Sequence, residues 1–250
     1  MYLIGDIGNT EIKLCLFDKN NKLIKKVVFK SNLVSKKILS KKLFFLRSKR
    51  HLIKTSIFSS VVPKIYKIIN SFLTNTIKIN CIELKEINLN KIINIKVNKK
   101  QIGSDRLANA ISVCDNKNNF IIVDFGTATT FDVVIKNNYL GGIIAPGVSL
   151  SLNTLISNAS LIPNLNLTGV NSVLGKNTKN AVRSGFYWGY VGLIEKIINK
   201  ISEQTKKKYK IVFTGGLSYF FKKPITHKVI IDRDITVNGL LKLIQIIKTQ

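Results

Sequence analysis

The sequence predicts an α/β protein made of two related domains. Apolar runs of strand length alternate with stretches whose apolar residues recur at three- and four-residue spacing. One strand, aspartate, turn, strand pattern occurs twice. The chain's 250 residues, 45% of them apolar, can fill one large core or two small ones.

The first copy of the repeat is YLIGDIGNTEIKLCLFD, from Tyr2, and the second is FIIVDFGTATTFDVVI, from Phe120. Asp6 matches Asp124, Gly8 matches Gly126 and Asn9 matches Thr127, at an offset of 118 residues (124 − 6). Each copy reads as a β-hairpin in which Gly supplies backbone freedom at the turn. Further strands are expected at Leu23 to Phe29, Ser56 to Val61, Asn80 to Leu84, Tyr139 to Ile144, Lys210 to Thr214 and Val229 to Ile231. Helical spacing marks Ser104 to Asp115, Ser149 to Leu155, Thr178 to Glu203 and Asn238 to Lys248. The polar DNKNN run places the domain boundary at 114–119, giving domains of 1–116 and 117–250.

The formal net charge is +27, from 40 Lys+Arg against 13 Asp+Glu. Such a charge invites a polyanion or an anionic membrane. Yet the excess is mostly lysine and travels with isoleucine and asparagine along the whole chain, as an A+T-rich genome would impose, so nucleic acid is not the expected partner. Cys15, Cys81 and Cys114 are an odd number, widely spaced and without a CxxC pair, which supports neither a disulfide framework nor a zinc site. His51 and His227 lie far apart with no third ligand nearby, which argues against zinc and a Ser-His-Asp triad. The MYLIGD start carries no basic leader, and no run reaches the roughly 18 to 20 apolar residues of a membrane span, so a cytoplasmic protein is expected.

The repeat's chemistry is that of phosphate handling. A carboxylate at the end of a strand, followed by a glycine turn with exposed N–H groups and threonine hydroxyls, can hold a metal ion and phosphate oxygens together. Phosphoryl transfer needs positioning, charge neutralisation and a base beside the attacking hydroxyl. A third acidic motif, QIGSDRLANAIS, puts Asp105 where a helix begins, as a helix cap or as that base. Arg106 beside it is one of few arginines in a lysine-dominated chain, and its fork suits an anionic substrate group.

DIGNT at 6–10, GSDR at 103–106, DFGTATT at 124–130, GGIIAPG at 141–147 and TGG at 214–216 occur in the order and spacing of the type III pantothenate kinases, which the chain resembles over nearly its whole length. The resemblance implies two ribonuclease H-like domains of the actin-like ATPase fold, facing across an active-site cleft. It implies transfer of phosphate from ATP to pantothenate, the first step of coenzyme A synthesis, by a cytoplasmic homodimer. Asp6 would coordinate Mg2+, and the segment Asp6, Ile7, Gly8, Asn9, Thr10, Glu11, Ile12 and Lys13, with Thr127, would hold ATP. Asp105 would be the general base. Gly103, Ser104, Asp105, Arg106 and Thr178 would bind pantothenate, Thr178 with help from the dimer partner. Asp124 would bind the monovalent cation, K+ or NH4+. Where similar proteins often carry a tyrosine and a proline before the GSDR motif, this chain has Lys96 and Lys99.

Two other functions compete: a nucleic-acid-binding or transcription accessory protein on the same fold, and a kinase of the same superfamily for another small hydroxy acid. The basic segment Lys36 to Lys54 is expected to be a surface helix with packed apolar residues and solvated lysines. GFYWGY, Gly185 to Tyr190, is expected to serve helix packing or a dimer face.

Overall fold

A computed structural model describes residues 1–248. In chain order its elements are β1 (Tyr2–Ile7), β2 (Glu11–Phe17), β3 (Leu23–Lys30), α1 (Lys36–Lys42), β4 (Thr55–Ser60), α2 (Pro63–Phe72), β5 (Ile82–Glu83), β6 (Asn94–Ile95), α3 (Ser104–Val113), β7 (Asn119–Phe125), β8 (Ala128–Ile135), β9 (Asn138–Pro146), α4 (Val148–Asn158), α5 (Thr178–Thr205), β10 (Lys210–Gly215), α6 (Ser218–Lys222), β11 (Val229–Ile231) and α7 (Ile235–Lys248). They form two compact units. Among the described residues the first comprises 1–114, 137–139 and 234–248, and the second 115–136 and 140–233.

In the first unit the sheet order is β3-β2-β1-β4-β5. β2 is antiparallel to β1 and β3, whereas β1, β4 and β5 run parallel. One core gathers Leu3, Ile7, Ile12, Leu14 and Phe58 of the sheet with Leu39, Ile69 and Phe72 of α1 and α2. α2 starts with Pro63 in its first turn, where a missing N–H costs nothing. Ser35 caps α1 by accepting the Ile38 N–H, but α1 is only the start of the basic segment. The expected single helix over Lys36 to Lys54 breaks after Lys42 into 3₁₀ turns at Phe44–Leu46 and Arg50–Leu52. Leu39, Leu43 and Leu46 are all fully buried, and that spacing lets the tighter turn keep its apolar side on the core.

α7 returns to the first unit and packs along α3. A Cβ on Gly239 would overlap the backbone carbonyl of Ala108, so glycine permits the close approach. Thr236 Oγ1 donates to Asn109 Oδ1 at 2.8 Å, and Lys242 Nζ donates to the Ser112 carbonyl at 3.3 Å and to that of Cys114. The C-terminal end of α3 thus gains a cation beside its last carbonyls. β6 pairs in parallel with Asn138 and Tyr139, at the start of β9.

In the second unit the strands follow the order β11-β10-β7-β8-β9. β7 and β8 are antiparallel, and β10 is parallel to β7 and β11. Counted from its first strand, each unit has the order 3-2-1-4-5 with its first two strands antiparallel, so both are ribonuclease H-like and the duplicated motif is a duplicated sheet. A separate core joins Ile121, Val123, Phe125 and Phe213 to Ile194 and Ile198 of α5 and Phe221 of α6. The GFYWGY run lies in α5, where Phe186 and Tyr187 pack on that core. Tyr190 adds hydrogen bonds to the Pro146 carbonyl (3.2 Å) and Ser151 Oγ (2.9 Å), while Trp188 stays exposed. All three cysteines are free, with Cys15 and Cys114 buried. Among the described residues no helix is long and apolar enough to cross a membrane.

Candidate active site

The two hairpins differ by one residue. In the first, Ile7 pairs with Ile12, and Gly8 N–H donates to the Glu11 carbonyl at 3.0 Å. In the second, Phe125 pairs with Thr129, and Gly126 N–H donates to the Ala128 carbonyl at 3.1 Å. The offset of 118 therefore holds through the strand and turn entry and falls to 117 (130 − 13) on the returning strand. As a result Asp6 stands directly across from Lys13, but Asp124 stands across from Thr130. Residues in register share one face of a sheet, so each carboxylate lies beside its cross-strand partner.

The other neighbouring strand supplies a hydroxyl in both units: Ser59 of β4 is level with Asp6, and Thr214 of β10 is level with Asp124. Ser59 is fully buried, and its hydroxyl finds no partner among the described residues. In the first turn Ser31 braces the loop, its Oγ donating to the Gly8 carbonyl at 2.7 Å and its N–H to the Thr10 carbonyl at 2.9 Å. Asn9 and Thr10 remain exposed at the tip. Ile7 and Ile12 are buried, so they can offer a nucleotide only backbone groups.

Asp105, in the first turn of α3, belongs to the same unit and lies close enough to Asp6 that its charge reaches the Asp6 carboxyl. Burial pushes the Asp6 carboxyl up to about 7; Lys13 pulls it down, while Asp105, Glu11 and Asp234 push it further up. Burial also raises Asp105, opposed by the Arg106 N–H, the Arg106 guanidinium and Lys85. Asp105 Oδ1 accepts the Arg106 N–H at 2.7 Å, which orients the carboxyl within the first helical turn. Gly103, at the N-cap, has no side chain because a Cβ there would run into that same Oδ1 and into Val61. The GSDR glycine is thus a space requirement of the aspartate two residues on.

Sequence reasoning missed several partners in this unit. Asp234, immediately before α7, forms an ion pair with Lys26 (2.5 Å) and stands 4.0 Å from Lys13. Glu83 accepts from Ser104 and from the Lys85 N–H. With only 13 acidic residues in the chain, each scarce carboxylate was a signal, but its partner could not be read from spacing. Of the two lysine departures, Lys99 Nζ donates to the Ile87 carbonyl at 3.2 Å, and Lys96 is exposed on the β6 side, its N–H bonded to the Tyr139 carbonyl.

In the second unit the remaining glycine motifs wall in Asp124 and its turn. Gly215 sits at φ +82°, and a Cβ on it would stand 2.7 Å from Asp124 Oδ1 and 2.6 Å from the Phe125 carbonyl oxygen. Gly147, which ends GGIIAPG and starts α4, lies against the carbonyls of Thr127 and Gly126, leaving no room for a side chain. Thr127 is exposed on the turn, and Thr178 is exposed in the first turn of α5, where Asn177 caps the helix by accepting the Asn180 N–H at 2.9 Å. Asp6, Lys13 and Asp105 therefore come together in one unit, and Asp124, Thr127 and Thr178 belong to the other.

Among the described residues no group of three or more His, Cys, Asp or Glu could cage a metal. Mg2+ does not need one, since it is usually held by one or two carboxylates with phosphates and waters. A buried carboxylate flanked by an orphaned hydroxyl, as at Asp6 and Ser59, fits that mode. Asp124 has Thr130 and Thr214 level with it on the two flanking strands, oxygen-bearing neighbours of the kind a monovalent cation takes.

A model of the type III pantothenate kinase family matches residues 2–200. A type III pantothenate kinase of Pelagibacter ubique is 54% identical over 248 residues, covering 99% of this chain and 100% of that protein. One from Finegoldia magna is 36% identical, covering 95% and 94%. Among solved structures, a candidate Baf family transcriptional activator from Campylobacter jejuni superposes with TM-score 0.63 at 20% identity, covering 99% of this chain and 100% of that one. A candidate 2-dehydro-3-deoxygalactonokinase from Sinorhizobium meliloti gives 0.62 at 10% identity, covering 99% of each. Identities this low speak to the fold alone, and the sugar kinase neighbour agrees with a two-domain actin-like ATPase fold. The chain belongs to the type III pantothenate kinase family.

Proposed function

We infer that this protein transfers the γ-phosphoryl group of ATP to the hydroxyl of pantothenate, yielding ADP and 4′-phosphopantothenate, the first step of coenzyme A synthesis. Membership of the family supports the reaction, and the observation that ties it to this chain is the pairing of Asp6 and Asp105 within one unit. Asp105 takes the proton from the attacking hydroxyl. Burial raises its carboxyl and so strengthens it as a base at neutral pH, where an ordinary aspartate would be weak. The loose transition state lets the proton leave late, so orienting the hydroxyl counts as much as accepting the proton. Arg106, Ser104 and Gly103 adjoin it at the pantothenate end.

The Gly8–Thr10 turn and Lys13 receive the ATP phosphates. Asp6 holds Mg2+, which neutralises phosphate charge when bound. Asp124 holds K+ or NH4+. The protein works as a homodimer, consistent with the exposed Leu161 (90%), Leu174 (83%) and Trp188 (41%) of the second unit. Three free cysteines suit a reducing compartment, the cytoplasm.

The test is ADP release by the purified protein with ATP, Mg2+ and K+, offering pantothenate against acetate, sugars and related hydroxy acids. Turnover with pantothenate alone is expected, and equal turnover with another acceptor would refute the substrate assignment.

A further inference from the structure

Beside Asp105, α3 is tied to the edge of the first sheet by one carboxylate. Glu83 ends β5, where Ile82 and Glu83 pair in register with Ile57 and Phe58 of β4. Its Oε2 accepts the Lys85 N–H at 2.6 Å, capping the 3₁₀ turn Leu84–Glu86, and its Oε1 accepts the hydroxyl of Ser104, the first residue of α3. Ser104 is 1% exposed and Leu84 is fully buried, while Glu83 is half-buried, so the serine end of the junction is shielded. Gly103, at the N-cap, leaves α3 with no side-chain cap of its own. The usual partner of a serine at a helix start is a backbone N–H of the first turn, but here the hydroxyl is turned outward to Glu83.

We propose that Glu83 is a positioning residue for phosphoryl transfer: by holding Ser104 and the Lys85 turn on one carboxylate, it fixes the start of α3 against the sheet and thereby sets where the Asp105 carboxyl meets the acceptor hydroxyl. The consequence for the site is twofold. A charge-assisted hydrogen bond into a buried serine is stronger and more directional than one between neutral groups. Lys85 is one of the cations whose field reaches Asp105, so the same carboxylate also anchors the backbone that carries one of those charges. Misplacing a reacting group by about 1 Å can cost on the order of 10²-fold in rate. This inference rests on the reading of Asp105 as the base.

The experiment measures kcat and the KM values for ATP and pantothenate in full-length Glu83→Ala, Glu83→Gln, Ser104→Ala and the Glu83→Ala/Ser104→Ala double variant, with Asp105→Asn alongside. Glu83→Ala is expected to lower kcat by about 10- to 100-fold with the KM for ATP unchanged. Glu83→Gln, whose carbonyl can still accept from Ser104, should recover part of that loss. The double variant should be no slower than the slower single variant, because both remove one bond. Wild-type kcat in Glu83→Ala while Asp105→Asn is inactive would overturn this inference and leave the base assignment standing, as would losses in the two single variants that multiply in the double. Full activity in Asp105→Asn would instead overturn the base assignment and this inference with it. Should Glu83→Ala fail to fold by circular dichroism, Glu83→Gln and Glu83→Gln/Ser104→Ala give the same comparison.

Discussion

Lys13 stands directly across the β1–β2 ladder from Asp6, and the matching place in the second hairpin holds Thr130. One residue fewer in the second turn makes this difference. The first hairpin pairs a carboxylate with an ammonium group and suits an anionic phosphate chain. The second sets a threonine, not a lysine, across from its carboxylate. Lys13→Met should raise the KM for ATP by about 10-fold or more, the worth of one hydrogen bond to a charged group, with the KM for pantothenate little changed. Steady-state kinetics with each substrate varied in turn will check it.

Asp6 titrates near neutrality. Its folded-state value of about 7 lies above the ordinary 3.8, so the folded protein holds this proton more tightly than the unfolded chain. The associated stability is fully present below about pH 4 and is lost as pH rises towards 7. Asp6→Asn removes that dependence, so its melting temperature should gain on the parent's between pH 4 and 7 in ligand-free protein. Binding of Mg2+ and ATP favours the ionised carboxylate. Calorimetry at pH 6.5 in buffers of different ionisation enthalpy should therefore show proton release in the parent and less in the variant.

Gly215 supports Asp124 from behind at a backbone angle that favours glycine. Gly215→Ala should cost at least about 1–2 kcal/mol in the left-handed conformation, with added strain from the Phe125 carbonyl. Chemical denaturation reads the stability, and the K+ concentration for half-maximal activity reads the displaced carboxylate. It should rise.

α7 reaches the chemistry only through α3. Gly239→Val would force the helices apart, costing about 1–3 kcal/mol by overpacking. Because α3 carries Asp105, kcat should fall as well, and lowering the temperature should not restore it fully.

Much of this was legible in the chain because turn chemistry is local. A carboxylate, a glycine and a small polar residue between two apolar runs specify a hairpin with few alternatives, and the repeat gave both sheets their first two strands. α2 was missed although Pro63 marks its start, since its apolar spacing follows directly on a strand. The return of α7 to the first unit was not legible: periodicity marks Asn238 to Lys248 as a helix, but the small residue that lets it meet Ala108 looks like any other glycine. Glu83 escaped notice for the same reason, because its partner Ser104 lies 21 residues away and only the fold joins them. The motifs singled out Asp6 and Asp105, whereas their burial and the reach of the Asp105 charge to Asp6 came from packing.

The most direct measurement is single-turnover formation of 4′-phosphopantothenate by Asp105→Asn, with ATP binding measured on the same sample. The account predicts that nucleotide binding and folding survive while the transfer rate drops by about 10²- to 10⁴-fold, the usual contribution of a positioned base. A variant that binds ATP and transfers phosphate at the parent's rate would contradict it.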